Sequence, residues 1–254
     1  MLWYKAWLET RWRFLIGVVV LIASACGVVL TYPEVLKLLP NLPRDTSTTL
    51  GRRIAEVLDM ARDYRGYVWS QGFAQNLANT WVLFAVILGI GGLPSQSSEG
   101  SALFTLSLPV TRTRLLAVRA ATALAELLVL ALAPAIALSV LSPAIGQTYS
   151  IVDALIHAVC LFVAGAVFFS LSVLMSAVFN DVWRPLLIVL GVAALLAFGE
   201  QLFSGWAPYG LFRVMSAETY FRGGGLPVVG LVASATIALA LFYSATVILN
   251  RRDF

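Results

Sequence analysis

The chain has 254 residues, of which 60% are hydrophobic and only 12% are charged, and its formal net charge is +4. Because a soluble domain of this size carries about 25% charged residues, this composition excludes an ordinary soluble protein. The long apolar runs do not alternate with polar residues, which argues against a membrane β-barrel. We therefore predict an all-α integral membrane protein with a single domain, residues 1–254. The positive charge fits contact with anionic membrane lipids and not with nucleic acid.

Six stretches are long and apolar enough to cross a bilayer as helices, since a spanning helix needs about 20 apolar residues and satisfies its own backbone hydrogen bonds. The predicted spans are residues 14–32, 77–93, 116–141, 154–179, 186–203 and 226–249. The fifth is uncharged only over residues 186–199 and could fall short of a complete crossing. Six spans put both termini on one side. Lysine and arginine are divided almost equally between the two sides, so the positive-inside rule does not decide the orientation.

The first 13 residues are predicted to form an interfacial helix before the chain turns into the first span, which Pro33 closes. Trp3, Trp7 and Trp12 fall on one side at helical spacing, and tryptophan favours the headgroup region of a membrane. Two roles are open for residues 1–13. They could anchor the chain in the membrane, or they could act as a lever between a cytoplasmic partner and the first span.

Residues 33–75 are predicted to form the longest loop, and three prolines make its first third irregular. Apolar residues then recur at helical spacing, which predicts a helix lying on the membrane or against other loops. The residues of this stripe are Leu50, Ile54, Val57, Leu58 and Ala61. The loop is either a solvated cover over the bundle or a receptor for a substrate.

The segment 94–115 is predicted to contain a short amphipathic helix between the second and third spans. Ser97 or Ser98 can cap its start, and Glu99 is favourable in its first turn. Pro109 ends the helix, and Arg112 and Arg114 mark the return to the membrane at an anionic leaflet. An apolar stripe of Leu103, Leu106 and Val110 lies on one side of this helix.

Ionisable residues at membrane depth are costly and often functional. Glu126 lies near the middle of the third span, where it either makes a contact between helices or lines a transport path. Glu200 caps the fifth span and is a candidate for a gate. Asp153, His157 and Cys160 share one face of the fourth span, as local polar contacts or as a route for a soft metal. Three ligands on one helix rarely complete a site, and the chain has no second histidine, so we assign no metal.

Four segments together resemble the permeases of type-2 ATP-binding cassette (ABC) exporters. They are the opening stretch 7–14, the pair Glu99-Gly100 followed by 106–112, the loop 205–212 and the ending 250–254. Each segment alone is a loose match, whereas the four together are fairly specific and extend over most of the chain. The resemblance implies the transmembrane subunit of an ABC transporter in the cytoplasmic (inner) membrane.

The resemblance also implies partners, sites and an orientation. Two copies, or one copy and a paralogous permease, would pair with separate ABC ATPase subunits, which bind ATP and Mg. Residues 94–115 would be a cytoplasmic coupling segment that fits a cleft on the ATPase. Both termini would then be cytoplasmic, with the loops 33–75 and 204–225 outside and the second of these able to re-enter the membrane. The implied coupling residues are Glu99, Gly100, Leu103, Leu106, Pro109, Arg112 and Arg114.

A standard ATP site is excluded within this chain. A P-loop requires Lys after Gly and before Ser or Thr, whereas Lys5 and Lys37, the only lysines, precede Ala6 and Leu38. Catalysis by a Ser–His or Cys–His pair would depend on His157, and no Gly-x-Ser-x-Gly sequence precedes it. We therefore expect neither an enzyme nor a bound cofactor. Two alternatives stay open: an ion-coupled secondary transporter, which would favour paired carboxylates or inverted repeats, and a membrane-embedded enzyme or assembly subunit.

Overall fold

The computed structural model describes residues 2–38, 55, 58–90, 112–179, 181–202 and 210–251. This part of the chain contains six helices that are long and apolar enough to cross a membrane, which confirms the predicted all-α membrane architecture. The six are α1 (Leu2–Leu38), α2 (Tyr64–Gly89), α3 (Arg112–Leu141), α4 (Ile151–Val178), α5 (Trp183–Leu202) and α8 (Val228–Arg251). Two short helices, α6 (Leu211–Met215) and α7 (Glu218–Phe221), lie between α5 and α8.

Helix α4 is the centre of the bundle, because α2, α3 and α8 all pack on it while α1 packs along α3. Of the 18 consecutive residues that make up its most apolar part, 61% are buried, against 17% in α5 and 22% in α8. Trp81, Phe168 and Phe169 are among the fully buried side chains between the helices. Helices α5 and α8 therefore present most of their apolar surface to the surroundings of the monomer, as lipid-facing helices do.

The bundle has two ends, defined here by contacts between helix termini. At the proximal end, the Arg13 guanidinium donates hydrogen bonds to the carbonyl oxygens of Ile87 and Ile90, at 3.3 and 3.2 Å. At the distal end, the Tyr32 hydroxyl donates to the carbonyl of Arg62 at 2.9 Å. The start of α1, the end of α2 and the end of α8 all lie at the proximal end, where Leu249 lines one pocket with Leu88.

The first helix differs from the prediction of an interfacial helix that turns into a span. Helix α1 runs from Leu2 to Leu38 without a break, and Pro33 lies inside it. The reason is contact with α3, since the Glu9 carboxylate lies 3.5 Å from the Arg119 guanidinium and Thr10 is buried against Glu126. These contacts hold residues 2–13 in line with the span.

The second helix begins earlier than predicted, so the loop 33–75 is shorter at both ends. Residues 33–38 continue α1, and residues 64–75 already belong to α2. Helix α2 starts with one α-helical turn (Tyr64–Tyr67), continues as a π-helix (Val68–Asn76) and ends as an α-helix (Leu77–Gly89). Of the surface helix expected over residues 50–61, residues 58–61 are described as helical, as is the isolated residue 55.

The other helix boundaries agree with the prediction to within a few residues. Helix α5 has 20 residues and is therefore about 30 Å long, enough for a complete crossing. Most of the segment 94–115 lies outside the described residues, and Arg112 and Arg114 belong to the first turn of α3. The candidate coupling residues outside the described part are Glu99, Gly100, Leu103, Leu106 and Pro109.

Candidate functional site: a polar groove

A polar groove opens between α2, α5 and the short helices α6 and α7. Its volume is about 240 Å³. Carboxamide, carboxylate and guanidinium groups line much of it, beside Trp69 and Phe212. The polar lining residues are Gln75, Asn79, Glu200, Gln201, Arg213, Ser216 and Glu218. We call this cavity the groove.

The carboxamides of the groove lie well inside α2, one of the six helices that are long and apolar enough to cross a membrane. Asn79 lies ten residues before the end of α2 at Gly89, which corresponds to about 15 Å along the helix axis. That distance is half of a hydrocarbon core about 30 Å thick. Both Gln75 and Asn79 are exposed in the monomer. The exposed side chains of α5 and α8 are by contrast mainly apolar, as at Leu195 and Leu239.

Glu200 lies in the groove, where its carboxylate holds the start of α6. One oxygen accepts a hydrogen bond from the backbone N–H of Phe212 at 3.1 Å, and the other accepts from the N–H of Arg213 at 3.2 Å. A Cβ at Gly210 would overlap this carboxyl group, which would have to shift and strain its two hydrogen bonds. Glu200 therefore fixes one wall of the groove and is not a freely mobile charge.

The carbonyl oxygen of Ser216 joins three parts of the structure. It accepts a hydrogen bond from the Trp69 indole N–H at 2.9 Å and lies 3.0 Å from His157 Nδ1. Because a carbonyl oxygen only accepts, Nδ1 of His157 carries the proton and Nε2 is unprotonated in the neutral ring. Ser216 thus ties the segment after α6 to α2 and to α4.

A second set of contacts surrounds Asp153 in the first turn of α4. The Tyr220 hydroxyl donates to one carboxylate oxygen at 2.8 Å, and the Arg65 guanidinium lies 3.1 Å from the other. The hydrogen bond to Asp153 raises the pKa of Tyr220, so this hydroxyl remains a donor at neutral pH. The rings of Trp69 and Phe221 stack with their centroids 4.3 Å apart and an angle of 1° between their planes.

Two of the three polar residues singled out in the fourth span make contacts with other elements. Asp153 binds Arg65 and Tyr220, and His157 binds the Ser216 carbonyl. Cys160 is buried. No group of three histidine, cysteine or acidic side chains that could hold a metal ion occurs within the described ranges. Asp153 and His157 therefore form local polar contacts of the kind considered from the sequence.

Glu126 lies apart from the groove. Its Oε1 is 2.5 Å from the Thr10 hydroxyl, and its Oε2 is buried without a hydrogen-bond partner among the described residues. Glu126 lies near the middle of α3 (Arg112–Leu141), as expected from the sequence, and there it makes a contact with α1. The structure therefore does not bring Glu126 and Glu200 together.

Gln75 and Asn79 were not predicted as site residues. A sequence signal for them does exist, because Gln71, Gln75 and Asn79 recur every four residues and so share one face of a helix. This shared face was not recognised from the sequence, because the second span was predicted to start at residue 77, which placed Gln71 and Gln75 in a loop.

Comparisons of the chain with protein-family models, with curated proteins and with solved structures found no match. The fold and the groove described above are therefore the basis for a functional proposal.

Proposed function

We propose that the chain is the transmembrane permease subunit of an ABC exporter, which moves a substrate across the cytoplasmic membrane with ATP hydrolysed by a separate subunit. The observation that carries the proposal is the exposed polar face of α2 at membrane depth. A carboxamide without a hydrogen-bond partner costs roughly 2–7 kcal/mol in an apolar medium. Gln75 and Asn79 are exposed, so we infer that they face water or protein and not lipid tails.

A second copy of the chain, or a paralogous permease, would provide the missing polar surroundings. Two grooves that face each other would enclose a passage lined by carboxamides, with the apolar faces of the remaining helices toward lipid. Residues of α2 and α5 line the groove of one chain, and Gln75 and Asn79 are exposed. A passage between subunits would account for exposed polar side chains at these positions.

The proximal end is the proposed cytoplasmic end. Residues 91–111 connect the end of α2 to the start of α3, and both of these helix ends lie at the proximal end. The segment that resembles an ATPase-coupling helix would thus leave the membrane beside both termini. Hydrolysis of ATP at a P-loop has to take place in a partner, because neither lysine of the chain can form one.

The proposal is tested by purifying the tagged full-length chain from its native membrane in mild detergent and identifying the proteins that accompany it. We expect a P-loop ATPase in a stoichiometric amount. Leu106→Ala should remove it, since Leu106 belongs to the apolar stripe of the coupling segment. Leu226→Ala is the matched control, because Leu226 is exposed at the distal end and should leave the ATPase bound.

Two results would reject the permease assignment. The first is recovery of the chain alone in several gentle detergents, which would favour an ion-coupled transporter or a membrane enzyme. The second is an ATPase that is lost equally with Leu226→Ala and Leu106→Ala, which would show a general loss of folding and no docking at the segment 94–115.

A further inference from the structure

We propose that residues 218–225, named the flap here, form a hinged gate at the distal mouth of the groove, held shut by contacts with α2 and α4. The flap consists of α7 and the glycine turn that follows it. This inference rests on the proposed role of the groove as a transport path. In this proposal the flap is the part of the chain that opens the transport path on the distal side.

The flap and the segment before it are anchored very differently. Val214 and Met215 in α6 are almost completely buried, and Phe212 packs against Phe168 of α4 with ring centroids 5.6 Å apart. Helix α7, by contrast, contains no buried residue. Few apolar contacts and an exposed surface are typical of segments that open at low free-energy cost. Glu218, Tyr220 and Phe221 are half-buried and Thr219 is exposed, so the flap is held less firmly to the bundle than α6.

A hinge lies between the anchored part and the flap. Ala217 has φ 51° and ψ 42°, the left-handed conformation that residues other than glycine adopt at a cost. At the other side of the flap, Gly223 and Gly225 have φ of 83° and 80°, which glycine adopts readily. A rotation at these positions would swing the flap without unfolding the neighbouring helices.

The flap carries its own hydrogen bonds and can move as a unit. The backbone N–H groups of Arg222 and Gly224 donate to the carbonyls of Glu218 and Thr219, at 2.9 and 2.8 Å. The Arg222 guanidinium also binds the Glu218 carboxylate at 2.8 Å. Opening would keep these internal bonds.

A small number of contacts closes the flap. The Tyr220 hydroxyl donates to Asp153, Phe221 stacks on Trp69, and the Arg65 guanidinium lies 5.7 Å from the Phe221 ring centroid while pairing with Asp153. Across the hinge, the Glu218 carboxylate also lies 3.6 Å from the Arg213 guanidinium of α6. Trp69 and Glu218 both line the groove. Release of Phe221 from Trp69 would therefore expose a wall of the groove to the distal solution.

The test measures how fast a water-soluble maleimide modifies a single cysteine in the full-length chain in lipid nanodiscs, where both ends of the bundle are accessible. The background chain carries Cys26→Ala and Cys160→Ala. Ser216→Cys is the reporter, because Ser216 lines the groove directly before the hinge and is only 4% exposed. Thr219→Cys, on the exposed surface of the flap, gives the rate for an open position.

Removing a closing contact should speed the modification of the reporter. We expect Tyr220→Phe to raise its rate about tenfold, since a hydrogen bond to a charged acceptor is lost, and Phe221→Leu to raise it as well. Tyr243→Phe makes the same chemical change on an exposed tyrosine of α8 and should have no effect. A second reporter, Met215→Cys, lies on the anchored side of the hinge and should stay slow in every variant.

Three results would overturn the gate. The reporter could react as fast as Thr219→Cys before any closing contact is removed, or its rate could stay unchanged in both Tyr220→Phe and Phe221→Leu. Equal acceleration at Met215→Cys would show that the whole segment opens and that Ala217 is not a hinge. The measurement needs no ATPase, so its outcome is independent of the purification experiment that tests the permease assignment.

Discussion

Gly165 of α4 lies directly against the Trp81 side chain of α2, and this contact allows a sharp test of the packing. A methyl group there would overlap the six-membered ring of Trp81, a fully buried side chain whose indole N–H donates to the Leu127 carbonyl at 3.1 Å. Close approach at small residues is the usual way in which membrane helices pack. Because the Trp81 ring is enclosed on all sides, it cannot move aside without distorting the core.

Gly165→Ala should therefore destabilise the protein by about 1–3 kcal/mol, the usual cost of overpacking. For a chain of this size that corresponds to a fall of roughly 2–12 °C in melting temperature. The assay heats the detergent-solubilised chain to a series of temperatures and measures by size-exclusion chromatography how much of it remains folded. Gly191→Ala is the matched control, since no atom lies within 4 Å of a methyl group at Gly191 in α5. It should be neutral or slightly stabilising, because alanine favours helix.

A double variant tests whether contact with the Trp81 ring causes the loss of stability in Gly165→Ala. Trp81→Phe reduces the size of the ring that the new methyl group meets, so Gly165→Ala should cost less in that background than in the unaltered chain. The reasoning is refuted if Gly165→Ala melts at or above the temperature of Gly191→Ala. It is also refuted if the costs of Gly165→Ala and Trp81→Phe simply add.

Three further changes test contacts between the helices. Glu126→Ala should lower the melting temperature by several degrees. Glu126→Gln should lower it less, because the carbonyl oxygen of glutamine can still accept a hydrogen bond from Thr10. Equal falls in melting temperature would argue against that hydrogen bond. Arg13→Gln should speed amide hydrogen exchange at residues 87–90, since the Arg13 guanidinium holds the end of α2, and unchanged exchange would contradict this role. The Ser172 hydroxyl lies 2.8 Å from the Val86 carbonyl. Ser172→Ala should nevertheless lower the free energy of unfolding by only about 0.6 kcal/mol, the average for hydrogen bonds between membrane helices. A fall of more than about 2 kcal/mol would indicate a larger structural role.

The sequence predicted those spans whose ends are marked by charge or by turn residues. The fourth span was expected over residues 154–179 and is formed by Ile151–Val178, and the sixth was expected over 226–249 and is formed by Val228–Arg251. The hydropathy of these segments changes abruptly at their ends, because charged groups are costly in hydrocarbon. Local composition therefore suffices to locate them.

The prediction failed where packing between distant segments decides the structure. Residues 2–13 carry enough charge to read as an interfacial segment, yet contacts of Glu9 and Thr10 with α3 keep them in one long helix. The start of α2 contains glutamines that lower its hydropathy, while its aromatic side chains are buried by other elements. The hydrogen bond from Trp69 to the Ser216 carbonyl joins residues 147 positions apart, and no local pattern contains that information.

Helix α2 is the element that connects all the features of functional interest. Its proximal end is held by Arg13 of α1 and continues into the segment expected to contact an ATPase. Its middle carries the carboxamides of the groove, and its distal turns carry Arg65 and Trp69, which hold the flap. The π-helix Val68–Asn76 includes Trp69 and Gln75, and such irregular turns are common at functional sites. A change in the helical repeat of this segment would rotate Trp69, which stacks on Phe221 of the flap, relative to Gln75 of the groove.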